Sequence, residues 1–205
     1  MLFRSVSQSR YCAASITYTD VVANPVTVPV IADTSPVKGD TKTPSVAIVE
    51  YCQFGSSGCK TMASELGEVL KSFPSGVAVV WKDVPNPSLI PDSLSAALAA
   101  RCAQDQGKFW EYHDALFSTG SLKEEIYTKI AVDLGLKEKT FTSCLKKQLG
   151  LSLIQEDTQE ASALEVAGTP TLYINGERIA GAIRTTDLIN RVEDALKTST
   201  STTSP

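Results

Sequence analysis

Two regimes of apolar spacing alternate along this chain. The stretch SVAIVEY, residues 45–51, is β-branched and almost continuously apolar, which predicts a buried strand. From Ser57 the apolar positions fall three and four apart. That spacing predicts a helix to Phe73, stopped by Pro74 and Gly76. GVAVVWKDV, residues 76–84, is a second apolar strand, and PNPSLIP is a connector. Helical spacing then takes over: Leu94, Ala97, Leu98 and Arg101, continued by Phe109, Tyr112, His113 and Leu116. SLKEEIYTKIAVDLGL and KEKTFTSCLKKQL read as two shorter helices, and SLIQEDTQEASALEVA as a longer one ended by Gly168. PTLYING and ERIAGA are strands joined through Asn175-Gly176, a strong hairpin signal. TTDLINRVEDALK closes the pattern as a helix capped by Thr185 or Thr186.

The order β-α-β, several helices, β-β-α predicts an α/β thioredoxin fold with a mixed sheet and an inserted all-helical subdomain. The first half supplies a right-handed parallel crossover, and the hairpin adds two antiparallel strands to the same sheet. Residues 44–87 and 167–198 form the thioredoxin-fold domain, and 88–166 the helical insertion. Residues 1–43 are an N-terminal extension, with a short edge strand in PVTVPVIAD (Pro25 to Asp33), whose prolines forbid a central position. DTSPVKGDTKTP reads as a loop. The Ser/Thr-rich end KTSTSTTSP, past Leu196, cannot build a core, and 199–205 are predicted to be a disordered tail.

Composition narrows the function classes. The chain has 205 residues, enough for one well-cored domain carrying an insertion. A net charge of −4, with no cluster of Lys and Arg, gives nucleic-acid binding no electrostatic support. No apolar run approaches 18 residues, so no membrane span is predicted, and MLFRSVSQSRYCAAS shows no intact signal peptide. The single histidine, His113, excludes multi-His metal sites; no metal and no cofactor are expected. Five cysteines leave at least one outside any intramolecular pair.

Chemistry concentrates in EYCQFGSSGCK, residues 50–60, at the turn from strand into helix. Ser56-Ser57-Gly58-Cys59 is one atom away from a Cys-x-x-Cys: either a redox site with its first sulfur replaced by oxygen, or never a redox site. A thiolate at a helix N-terminus is stabilised by free N–H groups and the helix dipole, and it attacks disulfides. Ser56 cannot cycle between thiol and disulfide. It is read as the helix N-cap, or as a hydroxyl donor to another molecule's thiolate. Cys59 is either a thiolate in the first helical turn or a shielded core residue. Cys52 either packs in the core, its default reading, or pairs with Cys59, which requires Cα atoms within about 7 Å. Phe109, Trp110, Tyr112 and Phe117 read as core of the insertion, and His113 as structural.

Four segments carry a family resemblance: PSVAIVEYCQF, VVWKDVPNPSLIPDSLSAALAARCA, QGKFWEYHDALF and VAGTPTLYINGERIAGA. Over roughly residues 26–196 the chain resembles the DsbA-like thiol–disulfide oxidoreductases. The resemblance implies an extracytoplasmic oxidoreductase acting on cysteine-containing polypeptides, served by a membrane-bound or soluble redox partner. It implies that Glu50 assists proton transfer at the shielded Cys59. It also implies that Thr169 and Pro170 present a cis-proline edge to an extended substrate, and that Cys102 and Cys144 form a structural disulfide rather than staying two free thiols. The chain departs from the family at Ser56, where the nucleophilic Cys belongs, and at Ile90, where relatives often carry His. An impaired or trapped oxidoreductase is therefore expected. The alternatives are a redox-inactive peptide- or partner-binding protein, or a glutathione-binding transferase or isomerase of kappa-like type using Ser56.

Overall fold

The structure, a computed structural model, describes residues 26–201. Five strands form one sheet in the order β1-β3-β2-β4-β5. The strands are β1 (Val37–Gly39), β2 (Val46–Cys52), β3 (Val77–Asp83), β4 (Thr171–Ile174) and β5 (Glu177–Ala180). The parallel pair β2/β3 is joined by helix α1 (Ser57–Ser72); β4 runs antiparallel to β2, and β5 to β4. The insertion between β3 and β4 holds α2 (Ser93–Gln104), α3 (Phe109–Ser118), α4 (Glu124–Asp133), α5 (Glu138–Lys147) and α6 (Leu151–Ala163), and α7 (Thr185–Ser201) closes the fold. This is the mixed thioredoxin-type sheet with inserted helices that the element order predicts.

Alternation along the central strands decides which layer each residue serves. Val46 and Ile48 of β2, with Val77 and Val79 of β3, pack under Met62, Leu66 and Val69 of α1 and Leu188 and Val192 of α7. Cys52 and Trp81, further along the same face, join the core of the insertion. Val49, Tyr51 and Val80 point the opposite way, against Ala161 of α6 and Leu164 just past its end. Every residue of β2 and β3 is buried, which explains their nearly unbroken apolar runs.

Three expectations about element bounds need correction. The edge strand is not in Pro25–Asp33, whose described part is irregular, but in Val37–Gly39, within the segment read as a loop. It pairs with β3 because Pro36 O accepts a bond from Trp81 N at 3.0 Å and Gly39 allows the close approach: a Cβ there would lie 2.6 Å from Val77 O. The long helical pattern from residue 93 is two helices, broken where Gly107 takes φ +72°. The closing helix does not end near Leu196 but reaches Ser201. Ser199 Oγ bonds Ser45 O at 3.2 Å and Ala195 O at 2.9 Å, tying polar residues to the body of the fold. Residues 1–25 and 202–205, with Cys12 and the rest of the expected tail, lie outside the described residues.

A buried ionic network joins sheet and insertion. Arg101 of α2 pairs with Asp83 at 2.7 Å and Asp157 at 2.5 Å, and Lys82 pairs with Asp157 at 3.1 Å and Glu160 at 3.3 Å. Trp81 Nε1 donates to Asp83 and the Tyr51 hydroxyl to Glu160, so these charges leave water with partners in place. The helical spacing reads Arg101 only as one more inward position; its counter-ions lie 18 and 56 residues away in sequence.

Candidate functional site

β2 ends at Cys52, and the chain passes through Gln53-Phe54-Gly55 into α1. Gly55 takes φ +84°, and a Cβ there would lie 2.8 Å from Ile90 Cγ2 and 2.9 Å from Leu122 Cδ1, so only glycine suits this crossing. Ser56 is the N-cap of α1: its backbone is extended, and its Oγ accepts the Cys59 N–H at 3.3 Å.

Cys59 occupies the first turn of α1 and is disulfide-bonded to Cys52, with Cα atoms 5.8 Å apart. Both cysteines are fully buried, 0% exposed. Gln53 N donates to Cys59 Sγ at 3.4 Å, which with the helix terminus favours negative charge on that sulfur when the bond opens. Neither sulfur is reachable by a substrate unless the Gly55–Ser57 turn or the loop against it moves.

That loop carries Pro170. Its bond to Thr169 is cis, and the ring lies directly over Gly58, where an added Cβ would approach Pro170 Cδ to 2.8 Å. Gln53 ties three segments together here: its Nε2 donates to Thr169 Oγ1 at 3.2 Å, and its Oε1 accepts from Asn86 N at 2.8 Å. Sequence reasoning missed Gln53, because a loop glutamine gives no signal that separates a clamp from a solvated side chain.

Glu50 lies on the same face of β2 as Cys52, two residues before it. It is 1% exposed, and burial pushes its carboxyl up to about 8. Its Oε1 has no hydrogen-bond partner among the described residues. His113 is buried in an aromatic cluster with Phe54, Trp81 and Phe117, and burial pulls its basicity down, so it is neutral at physiological pH. Phe109, Tyr112 and Phe117 belong to the core of the insertion, with Trp110 packed at its margin.

Cys102 of α2 and Cys144 of α5 are disulfide-bonded with Cα atoms 5.8 Å apart, well away from the first pair in the sequence and on the helical subdomain alone. The described residues contain no cluster of three or more His, Cys, Asp or Glu able to hold a metal, and no helix long and apolar enough to cross a membrane.

A family model described as Thioredoxin matches residues 32–194. Among curated proteins the chain is similar to the Na(+)/H(+) antiporter NhaA 1 of Salinispora arenicola, 35% identical over 156 residues, 76% of this chain and 24% of that protein. The chain thus spans about a quarter of the length of the curated relatives it matches. Among solved structures it is similar to a thioredoxin-like oxidoreductase from Silicibacter pomeroyi, at 25% identity and TM-score 0.69, over 80% of this chain and 94% of that one. It is also similar to the thiol-disulfide exchange protein alpha-DsbA2 from Wolbachia pipientis, at 23% identity and TM-score 0.70, over 79% of this chain and 87% of that one.

Proposed function

This chain belongs to the thioredoxin family, and on that premise we propose that it is a DsbA-like thiol–disulfide oxidoreductase acting on cysteine-containing polypeptides, with Cys52–Cys59 as its sulfur pair. The observation that carries this reading is the Cys52–Cys59 bond at the start of α1, beneath the cis-proline loop. In the oxidising direction a substrate thiolate attacks Cys52 Sγ and forms a mixed disulfide. Cys59 leaves as the thiolate, since it has the Gln53 N–H and the helix terminus beside it. A second substrate thiolate attacks the substrate sulfur and displaces Cys52, so the substrate disulfide forms and the two electrons its thiols lose remain on Cys52 and Cys59.

Burial sets the pace of this chemistry. An ordinary Cys-x-x-Cys site offers an exposed sulfur at the N-cap, and here the half-buried Ser56 hydroxyl occupies that position. Exchange therefore waits for local opening around Gly58 and Pro170, and the protein is a slow oxidoreductase. The Thr169–Pro170 edge serves as the strand to which an extended polypeptide adds. Two disulfides in one small chain favour an oxidising, extracytoplasmic setting, with a membrane-bound or soluble partner to recycle the pair. Nothing of ion transport is carried over from relatives matched over about a quarter of their length.

The full burial of both sulfurs favours one second reading, a redox-inactive polypeptide binder built on the same edge. Oxidation of a dithiol peptide separates the two. The unmodified protein should turn over slowly, Cys52→Ala not at all, and the double variant Cys52→Ala/Ser56→Cys, which restores an exposed sulfur at position 56, fast. A binder gives no turnover without the double substitution. Saturable binding of glutathione abolished by Ser56→Ala would instead support a kappa-like role.

A further inference from the structure

Three residues that line one small cavity each carry a buried polar atom without a partner among the described residues: Glu50 Oε1, Trp110 Nε1 and His113 Nε2. The cavity holds about 20 Å³, room for a single water. Its lining runs from Glu50, 1% exposed, outward to Lys38 and Asp114, whose side chains are 40% and 55% exposed. His113 Nδ1 lies 2.8 Å from Asp114 Oδ1, so Nδ1 carries the proton it donates and Nε2 is left as an acceptor. Asp114 Oδ2 in turn accepts from Lys38 Nζ at 3.0 Å. The three orphan atoms form a complementary set: an indole donor, an imidazole acceptor and a carboxyl oxygen.

We propose that a water held between Glu50, Trp110 and His113 links the buried carboxyl to solvent, with His113 as the positioning residue that passes protons between this water and Asp114. The indole donates to the water, and the water donates to Glu50 Oε1 and His113 Nε2. The charged groups facing His113 are Glu50 across the cavity, Asp114 at Nδ1 and Lys38 at the outer rim. Such a route explains why the insertion places a histidine and a tryptophan against the sheet at Glu50, rather than another apolar pair.

Its catalytic use rests on Cys52–Cys59 being the exchanging pair; the water site itself does not. When the reduced pair is reoxidised by a polypeptide disulfide, the Cys52 Sγ–Cys59 Sγ bond forms and the polypeptide disulfide takes the two electrons. At neutral pH the buried Glu50 carboxyl already holds a proton; it hands that proton through the water to His113 Nε2 and takes the proton of the buried thiol in its place. The Nδ1 proton leaves by Asp114 to solvent, from which the polypeptide thiolates are protonated. The reverse direction runs the same steps backwards.

The test starts with the unmodified oxidised protein. Magnetisation transfer from long-lived water should reach the Trp110 indole N–H and not that of Trp81, which donates to Asp83 at 2.7 Å. In His113→Phe the ring remains but the acceptor is lost, and Glu50, followed by carboxyl NMR, should become about a tenfold weaker acid. The same variant should slow reoxidation of the pair about tenfold while leaving its equilibrium with glutathione unchanged. No water contact at Trp110, or a Glu50 titration indifferent to His113→Phe, overturns the proposal. If His113→Phe fails to fold, the water measurement on the unmodified protein decides. If no exchange occurs in the unmodified protein, the redox reading fails, while the two NMR measurements still judge the water site.

Discussion

The Ser56 hydroxyl accepts the Cys59 backbone N–H, so Ser56 caps helix α1 three residues ahead of the disulfide-bonded Cys59. The bond is 3.3 Å long and half-exposed, and an N-cap of this type contributes about 1 kcal/mol. Ser56→Ala should lower stability by about that much, and Ser56→Gly by only a few tenths. Urea denaturation of the oxidised proteins measures both.

Two glycines of α1 should respond to alanine with opposite signs. At Gly67 an added Cβ meets nothing within 4 Å, so Gly67→Ala gains up to about 1 kcal/mol from helix propensity. At Gly58 the same gain is outweighed, because the Cβ would press the rigid Pro170 ring at 2.8 Å, an overpacking that costs about 1–3 kcal/mol. Gly58→Ala should also weaken binding of an extended peptide, read by fluorescence polarisation, while Gly67→Ala should not.

Stability should fall as pH rises from 6.5 to 8. Glu50 titrates near 8 in the folded protein against 4.5 for the unfolded chain, so its contribution is present below 4.5 and is lost through 8. His113 is held neutral by burial, below its usual 6.5, so its contribution is lost as pH falls below that value. The two slopes oppose each other just below 6.5, and of these two only that of Glu50 remains above it, at about 1.4 kcal/mol per pH unit at most. Glu50→Gln should flatten the fall between 6.5 and 8 in denaturant titrations.

Cys102 and Cys144 close 42 residues of the insertion. In the chain-entropy model such a link contributes about 4 kcal/mol. The double variant Cys102→Ala/Cys144→Ala should lose an amount of that order by calorimetry, with turnover at Cys52–Cys59 retained at temperatures where it stays folded.

The sheet was legible because its central strands are buried on both faces and bounded by turn residues, as in SVAIVEY and at Asn175-Gly176. The edge strand was not. Val37–Gly39 is three residues long and is held by pairing to β3 rather than by any pattern of its own. Within the site, Ser56 and Cys59 stand out by spacing, and Glu50 by being acidic in an apolar run. Gln53 and the partners of Arg101 depend on contacts between residues far apart in sequence, such as Gln53 with Thr169, and no local pattern marks them.

The role of Cys52 is tested most directly by acid-quenched alkylation and mass spectrometry after incubation with a reduced dithiol peptide. Cys52 and Cys59 should both become labelled, in step with the peptide oxidised, while Cys102 and Cys144 stay unlabelled. Peptide oxidation with Cys52 and Cys59 unlabelled, or a Cys52–Cys59 bond that survives equilibration with excess dithiol peptide, would contradict the assignment of this pair.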